Sequence, residues 1–170
     1  IDSANPALKV RLANEFKSDL IRFYYGEDLI GTEIGAAAKN VMGIVAGILD
    51  GCGYVALKGS LMTRGAREVA RLIKAMGGNE LSAYGLAHLG DYEATLFSEF
   101  SHNRKYGEML VQDAKFDKLA EGVPTAAAMK ALGEKYGVDL PITNAVYEIC
   151  YGESDEPYRA LCMKMLAKLF

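Results

Sequence analysis

Residues 31–53 read GTEIGAAAKNVMGIVAGILDGCG. Between Ile34 and Leu49 only Lys39 and Asn40 interrupt residues that are apolar or small, and a helix that is apolar all round lies inside a protein core. The stretch predicts a buried central helix carrying one lysine. Gly35, Gly43 and Gly47 differ from Lys39 by multiples of four, which sets them near its face of the helix. Glycine costs helix stability, so three beside one lysine suggest room kept around the ammonium for other backbone or a ligand. The purely structural alternative is a lysine that snorkels to the surface or pairs with a carboxylate, with the glycines serving close helix packing. A membrane span fits less well: the uninterrupted apolar run is shorter than ~18 residues, and a charge sits at its middle.

The whole chain has 170 residues, 51% of them apolar, and a net charge of -3. That suits one domain with a full core. The charge gives no general attraction for nucleic acid or anionic membrane, so an anionic substrate has to be held by a few local groups. Cys52, Cys150 and Cys162 are widely spaced among apolar residues, which fits reduced thiols and a cytoplasmic location better than a disulfide or zinc framework. No secretory or lipidation signal opens the sequence, and residue 1 is isoleucine, so the chain is expected to begin inside a longer protein.

Helical spacing predicts a helix over Pro6 to Leu20, with Leu12, Phe16 and Leu20 on one face. IRFYY, Ile21 to Tyr25, reads as one short strand closing on Gly26. A lone strand cannot satisfy its backbone groups, so its sheet is expected in a preceding N-terminal part or across an oligomer. Thr32 is the expected N-cap of the central helix, and Asp50 to Gly53 its end. Further helices are expected over Val55 to Thr63, Ala66 to Met76, Thr125 to Tyr136, Asn144 to Tyr151 and from about Glu153–Pro157 to Phe170. In AREVARLIKAM, Arg67, Arg71 and Lys74 read as a solvated face. No glycine-rich loop follows a strand and opens a helix, so no dinucleotide-binding half is present.

From Asp91 the pattern turns polar. Asp91 and Thr95 are i and i+4, one above the other on a helix face. Ser101, His102, Asn103 and Arg104 are four consecutive hydrogen-bonding residues ending in a cation, a suitable lining for a phosphate or polyol, or else an ordinary connecting loop with capping residues. His88 and Asp91 have metal-ligand spacing, but no further ligands complete a site, and a metal is rejected.

Three segments in this order resemble the C-terminal domain of NAD(P)-dependent glycerol-3-phosphate dehydrogenase: GAAAKNVMGIVAGILDG with MTRG downstream; GLAHLGDYEATLFSEFSHNRKYG; and LAEGVPTAAAMKALGEKYGVDLPITNAVYEICY. With FYYGEDLIGTEIG they cover nearly the whole chain. The resemblance implies an all-α, multi-helix domain of the 6-phosphogluconate dehydrogenase C-terminal-like type, with one short N-terminal strand. Residues 1–28 would be the end of a linker and the last elements of an N-terminal Rossmann domain, and residues 29–170 the helical substrate-binding domain. It implies reversible hydride transfer between NAD or NADP, bound mainly by the Rossmann domain, and C2 of dihydroxyacetone phosphate, giving sn-glycerol 3-phosphate for phospholipid synthesis. A cytoplasmic homodimer is expected, with no nucleic-acid partner and no integral membrane span, and with this chain inactive alone.

By matching position, Lys39 would be the general acid/base, with Asn40 beside it in the substrate site. Asp91, Thr95, Ser101, His102 and Asn103 would complete the substrate and phosphate contacts, and His102, Leu119 and Glu121 would touch the cofactor. Burial lowers a lysine's pKa, and a partly desolvated lysine can stabilise a developing alkoxide and give up a proton. One position departs from the family. His102 stands where an arginine is the rule, and histidine carries at most one charge and titrates near neutrality. Arg104 is the nearest cation in sequence that could assist. The alternatives are a related dehydrogenase acting on another phosphorylated or β-hydroxy-acid substrate, and a non-enzymatic helical dimerisation module.

Overall fold

Asn5, whose side chain accepts from the amides of Ala7 and Leu8, and the proline after it start the first helix. Among the described residues, which are all 170 apart from the side chain of Glu93, the computed structural model has seven α-helices: α1 (Pro6–Phe16), α2 (Leu29–Gly51), α3 (Lys58–Ala75), α4 (His102–Val111), α5 (Gly122–Tyr136), α6 (Pro141–Tyr151) and α7 (Tyr158–Leu169). Between α3 and α4 lie two 3₁₀ turns, Glu80–Tyr84 and Leu89–Asp91, and a π-helical turn, Glu93–Phe97.

α2 is the axis of the bundle. Every residue from Val41 to Leu49 is buried, and α3, α4 and α5 pack around it. Its most apolar window is hydrophobic enough to cross a membrane by length and composition, but 61% of that window is buried within the fold, so its apolar surface is already covered by neighbouring helices. The glycines of α2 serve these neighbours more than the ammonium. A Cβ on Gly47 would lie 1.8 Å from the Arg104 carbonyl oxygen, and one on Gly107 of α4 would lie 2.0 Å from that of Ile44. The two backbones touch, which only glycine permits.

Several expectations need correcting. No strand exists among the described residues. Ile21–Tyr25 is extended without a ladder, apart from one isolated bridge between Ser18 and Ile21, because no second strand is there to pair with it. Its backbone groups turn to residue 1 instead: the Ile1 amine donates to the Tyr24 carbonyl at 2.6 Å, and the Gly26 amide to the Ile1 carbonyl at 2.8 Å. α1 stops at Phe16 rather than Leu20, and Phe16 and Leu20 of the expected Leu12–Phe16–Leu20 face are 63% and 96% exposed.

Asp28, not Thr32, caps α2. It accepts from the Gly31 amide, the Asn79 amide and the Ser82 hydroxyl. Desolvation works against its charge, but these donors outweigh it and hold its carboxyl below the usual range. Thr32 donates its hydroxyl to Asp2. The two helices expected over Val55–Met76 are one continuous α3 that runs through Gly65. A Cβ there would meet Met42 Sδ at 2.7 Å and Tyr92 Oη at 2.9 Å, so this glycine serves close packing rather than a break. α6 starts at Pro141, earlier than expected, because proline suits the first helical position and the buried Glu68 carboxylate accepts the amides of Ile142 and Thr143 and the Thr143 hydroxyl. All three cysteines are free thiols.

Candidate functional site

Lys39 sits where α2 leaves the core: Ala38 and Val41 are fully buried, while the Lys39 side chain keeps 25% of its exposure. Its ammonium pairs with the carboxylate of Asp91, itself 36% exposed. Asp91 closes the 3₁₀ turn Leu89–Asp91, and the π turn after it buries Thr95 against α2, with its methyl 3.0 Å from where a Cβ on Gly43 would lie. The i, i+4 expectation for Asp91 and Thr95 on one regular helix face gives way to this 3₁₀-to-π join. Wide π turns of this kind re-aim side chains and recur at functional sites.

One residue along α2, Asn40 opens a relay of amides. The Gly122 amide donates to Asn103 Oδ1 at 2.8 Å, Asn103 Nδ2 to Asn40 Oδ1 at 3.0 Å, and Asn40 Nδ2 to Glu121 Oε2 at 3.4 Å. α2, the first turn of α4 and the N-terminus of α5 are thereby tied together. Both ends of the buried Asn103 side-chain amide are used, and its orientation follows from its partners.

Ser101 caps α4, accepting from the Arg104 amide at 3.3 Å. His102 is the first residue of that helix and is exposed. Its ring meets Phe116 edge-on at 6.3 Å, and Phe116 in turn meets Tyr106 at 5.7 Å. Leu119, 70% exposed, lies just before the Glu121 cap of α5.

Arg104 does not assist His102. Its guanidinium turns inward, donating from Nε to Asp50 Oδ2 at 2.5 Å and from a terminal nitrogen to the Ser98 carbonyl at 3.4 Å. The same Asp50 oxygen accepts from the buried Lys58 ammonium at 2.7 Å, and Lys58 also donates to the Leu96 carbonyl at 3.0 Å. Asp50 thus anchors two cations that hold the end of the π turn and the start of α4. An arginine committed to a buried carboxylate is not free to bind a phosphate.

The structure therefore joins Lys39 with Asp91, packs Thr95 behind them, and joins Asn40, Asn103 and Glu121. Ser101, His102 and Leu119 lie on the segments flanking that relay. A cleft of about 520 Å³ between α6 and α7 contains none of these residues.

Sequence reading missed Lys58 and Glu68 as buried polar supports, and it offered His88 only as a rejected metal ligand rather than as a buried support. Glu68 was hidden inside an amphipathic pattern that otherwise reads correctly. For His88 the available signal was the i, i+4 spacing to Tyr92, whose hydroxyl meets its Nε2 at 2.7 Å. Its Nδ1 lies 2.8 Å from the Gly35 carbonyl, so neither ring nitrogen is left for a metal.

Residues 28–160 match the sequence profile described as NAD-dependent glycerol-3-phosphate dehydrogenase C-terminus. The chain belongs to that family. Relatives of this glycerol-3-phosphate dehydrogenase C-terminal family include the "Glycerol-3-phosphate dehydrogenase [NAD(P)+]" of Clostridium botulinum (strain Eklund 17B / Type B), 38% identical over 91% of this chain and 49% of that protein. The protein of the same name from Trichlorobacter lovleyi is 38% identical over 98% of this chain and 52% of its own length. The crystal structure of glycerol-3-phosphate dehydrogenase from Coxiella burnetii superposes with a TM-score of 0.88 at 28% identity, over 97% of this chain and 53% of that one. The chain spans about half the length of the curated relatives it matches.

Proposed function

We propose that this chain is the substrate-binding part of an NAD(P)-dependent glycerol-3-phosphate dehydrogenase, which interconverts dihydroxyacetone phosphate and sn-glycerol 3-phosphate for phospholipid synthesis. The observation that carries the reading is the Lys39–Asp91 pair, half in and half out of the core beside the Asn40–Asn103 relay, in a chain of this family. Residues 29–170 form the substrate-binding domain in this reading. Residues 1–28 belong to the join with a cofactor domain.

The residues present fit contacts to the edge of a nicotinamide cofactor rather than a cradle for it. His102, Leu119 and Glu121 are exposed, and the sequence has no phosphate-binding glycine turn. A reduced nicotinamide held beside these residues would supply the hydride. As C2 of the substrate gains it, the carbonyl oxygen takes up negative charge. Lys39 Nζ faces that oxygen, stabilises the charge and gives it a proton, a role typically worth 10²–10⁴-fold in rate. Asp91 holds the ammonium in place. Asn40 and Asn103 stay rigid through the relay and orient the substrate hydroxyls, while Ser101 and His102 face the phosphate. Thr95 closes the back of the site.

With Arg104 committed to Asp50, His102 is the nitrogen-bearing ring of the Ser101–Arg104 run that remains for the phosphate. That favours a second reading in which the substrate is a smaller hydroxy acid or a different phosphorylated polyol. A homodimer and a cytoplasmic location complete the proposal, and the three free thiols suit a reducing compartment. Steady-state kinetics of the full-length protein on dihydroxyacetone phosphate and on a β-hydroxy acid series test it: turnover of the first supports the main reading, and turnover of only the second replaces it.

A further inference from the structure

His88 is fully buried between α2 and the irregular segment that carries Asp91. A carbonyl can only accept, so the 2.8 Å contact to Gly35 fixes the proton on Nδ1. In a neutral ring Nε2 is then bare and accepts the Tyr92 hydroxyl at 2.7 Å. Burial, with the Lys39 charge adding to it, pushes the His88 pKa down to about 4 against the opposing bond to Gly35, so the ring stays neutral at physiological pH. Tyr92 is itself fully buried, packed against Gly65 and edge-on to the imidazole at 4.6 Å.

Gly35 is one helical turn before Lys39, and His88 is three residues before Asp91, whose amide donates to the His88 carbonyl at 3.1 Å. Two side-chain links thus join the same two segments. His88 to Gly35 is the buried one, and Asp91 to Lys39 the partly exposed one. The segment carrying Asp91 is a 3₁₀ turn running into a π turn, without the regular helical ladder that would fix a carboxylate by itself. Gly35 admits the imidazole because a Cβ there would lie 2.9 Å from His88 Cβ.

We propose that His88, held by Tyr92, is a positioning residue for the Lys39–Asp91 pair, fixing the register in which the carboxylate meets the ammonium. Its consequence for catalysis rests on the function proposed above; its consequence for the ion pair does not. The Gly35 carbonyl selects the tautomer, Tyr92 holds the ring from its other nitrogen, and His88 clamps the turn to α2 so that Asp91 is delivered to Lys39 rather than left to find it.

The test is the exchange of lysine ammonium protons with water, measured by NMR on full-length protein labelled with ¹⁵N at lysine. Lys58, paired with Asp50 elsewhere in the core, is the internal control. In His88→Leu the Lys39 ammonium is expected to exchange about fivefold faster, the scale of losing a partly exposed pair, with Lys58 unchanged. His88→Asn, which keeps a donor near the Nδ1 position, restores most of the difference, and Tyr92→Phe gives a smaller acceleration if the leucine variant does not fold. Unchanged exchange at Lys39 in a folded variant, or equal acceleration at Lys39 and Lys58, overturns the proposal. Kinetics form a second arm, in which kcat on dihydroxyacetone phosphate falls in His88→Leu while KM is held. A wild type inactive on that substrate refutes the substrate reading, and the exchange ratio still decides the role of His88.

Discussion

Asn103 Nδ2 lies 3.0 Å from Asn40 Oδ1, and the other face of the same Asn103 amide accepts the first amide of α5. One buried side chain therefore couples three helices. Asn103→Leu removes both bonds and strands the buried Gly122 amide at a cost of about 1–3 kcal/mol, while the half-buried Asn40 oxygen can turn to water. Chemical denaturation should show a loss in that range or above. Asn103→Asp keeps the acceptor for Gly122 and should lose less.

The α2–α4 crossing leaves no room for a methyl group. Gly47→Ala and Gly107→Ala each put a carbon on a backbone carbonyl of the partner helix, and overpacking of this kind typically costs about 1–3 kcal/mol, more where backbone must move. Gly59→Ala is the control, since a Cβ there meets nothing within 4 Å. Melting temperatures should fall for the first two, and that of the control should hold or rise.

Stability should depend on pH through His88. Its folded pKa of about 4 lies below the ordinary histidine value of 6.5, so below pH 6.5 the unfolded chain binds a proton that the folded chain refuses. Stability from this group is full above 6.5 and is lost as pH falls toward 4, by roughly 3 kcal/mol in all. Glu68 acts with the opposite sign: burial raises its pKa above 4.5 in spite of the Thr143 and Ile142 donors, so its contribution is lost as pH rises through the folded value. The difference between wild type and His88→Asn, followed by urea denaturation from pH 7 to pH 4.5, isolates the histidine. The wild type should lose more stability on acidification than the variant.

How much of this was legible in sequence depends on distance along the chain. The central helix could be read because its apolar residues leave no polar face, and α3 could be read inward and outward from the spacing of Val69, Leu72, Ile73 and the arginines. Long-range partners could not. Arg104 points to Asp50 and Asp28 gathers Asn79 and Ser82 across more than 50 positions, and no periodicity records such pairings. The helices expected over Val55–Thr63 and Ala66–Met76 run together through Gly65, and its close packing with Met42 and Tyr92 explains why a glycine stays inside the helix. IRFYY forms no ladder within this chain, because strand propensity cannot act without a partner.

His102 defines the specificity prediction. His102→Arg, at the exposed first position of α4, adds a fork of donors suited to a phosphate. In full-length protein it should lower KM for dihydroxyacetone phosphate with little change in kcat. Arg104→Gln, by contrast, leaves Asp50 with Lys58 alone and should act first on stability.

The central claim is that Lys39 handles the proton of the reacting oxygen. The most direct measurement is kcat of the full-length protein on dihydroxyacetone phosphate for wild type and Lys39→Ala, with folding checked by circular dichroism. A drop of about 10²–10⁴-fold in a folded variant is expected. A folded Lys39→Ala protein that keeps wild-type kcat would contradict the account.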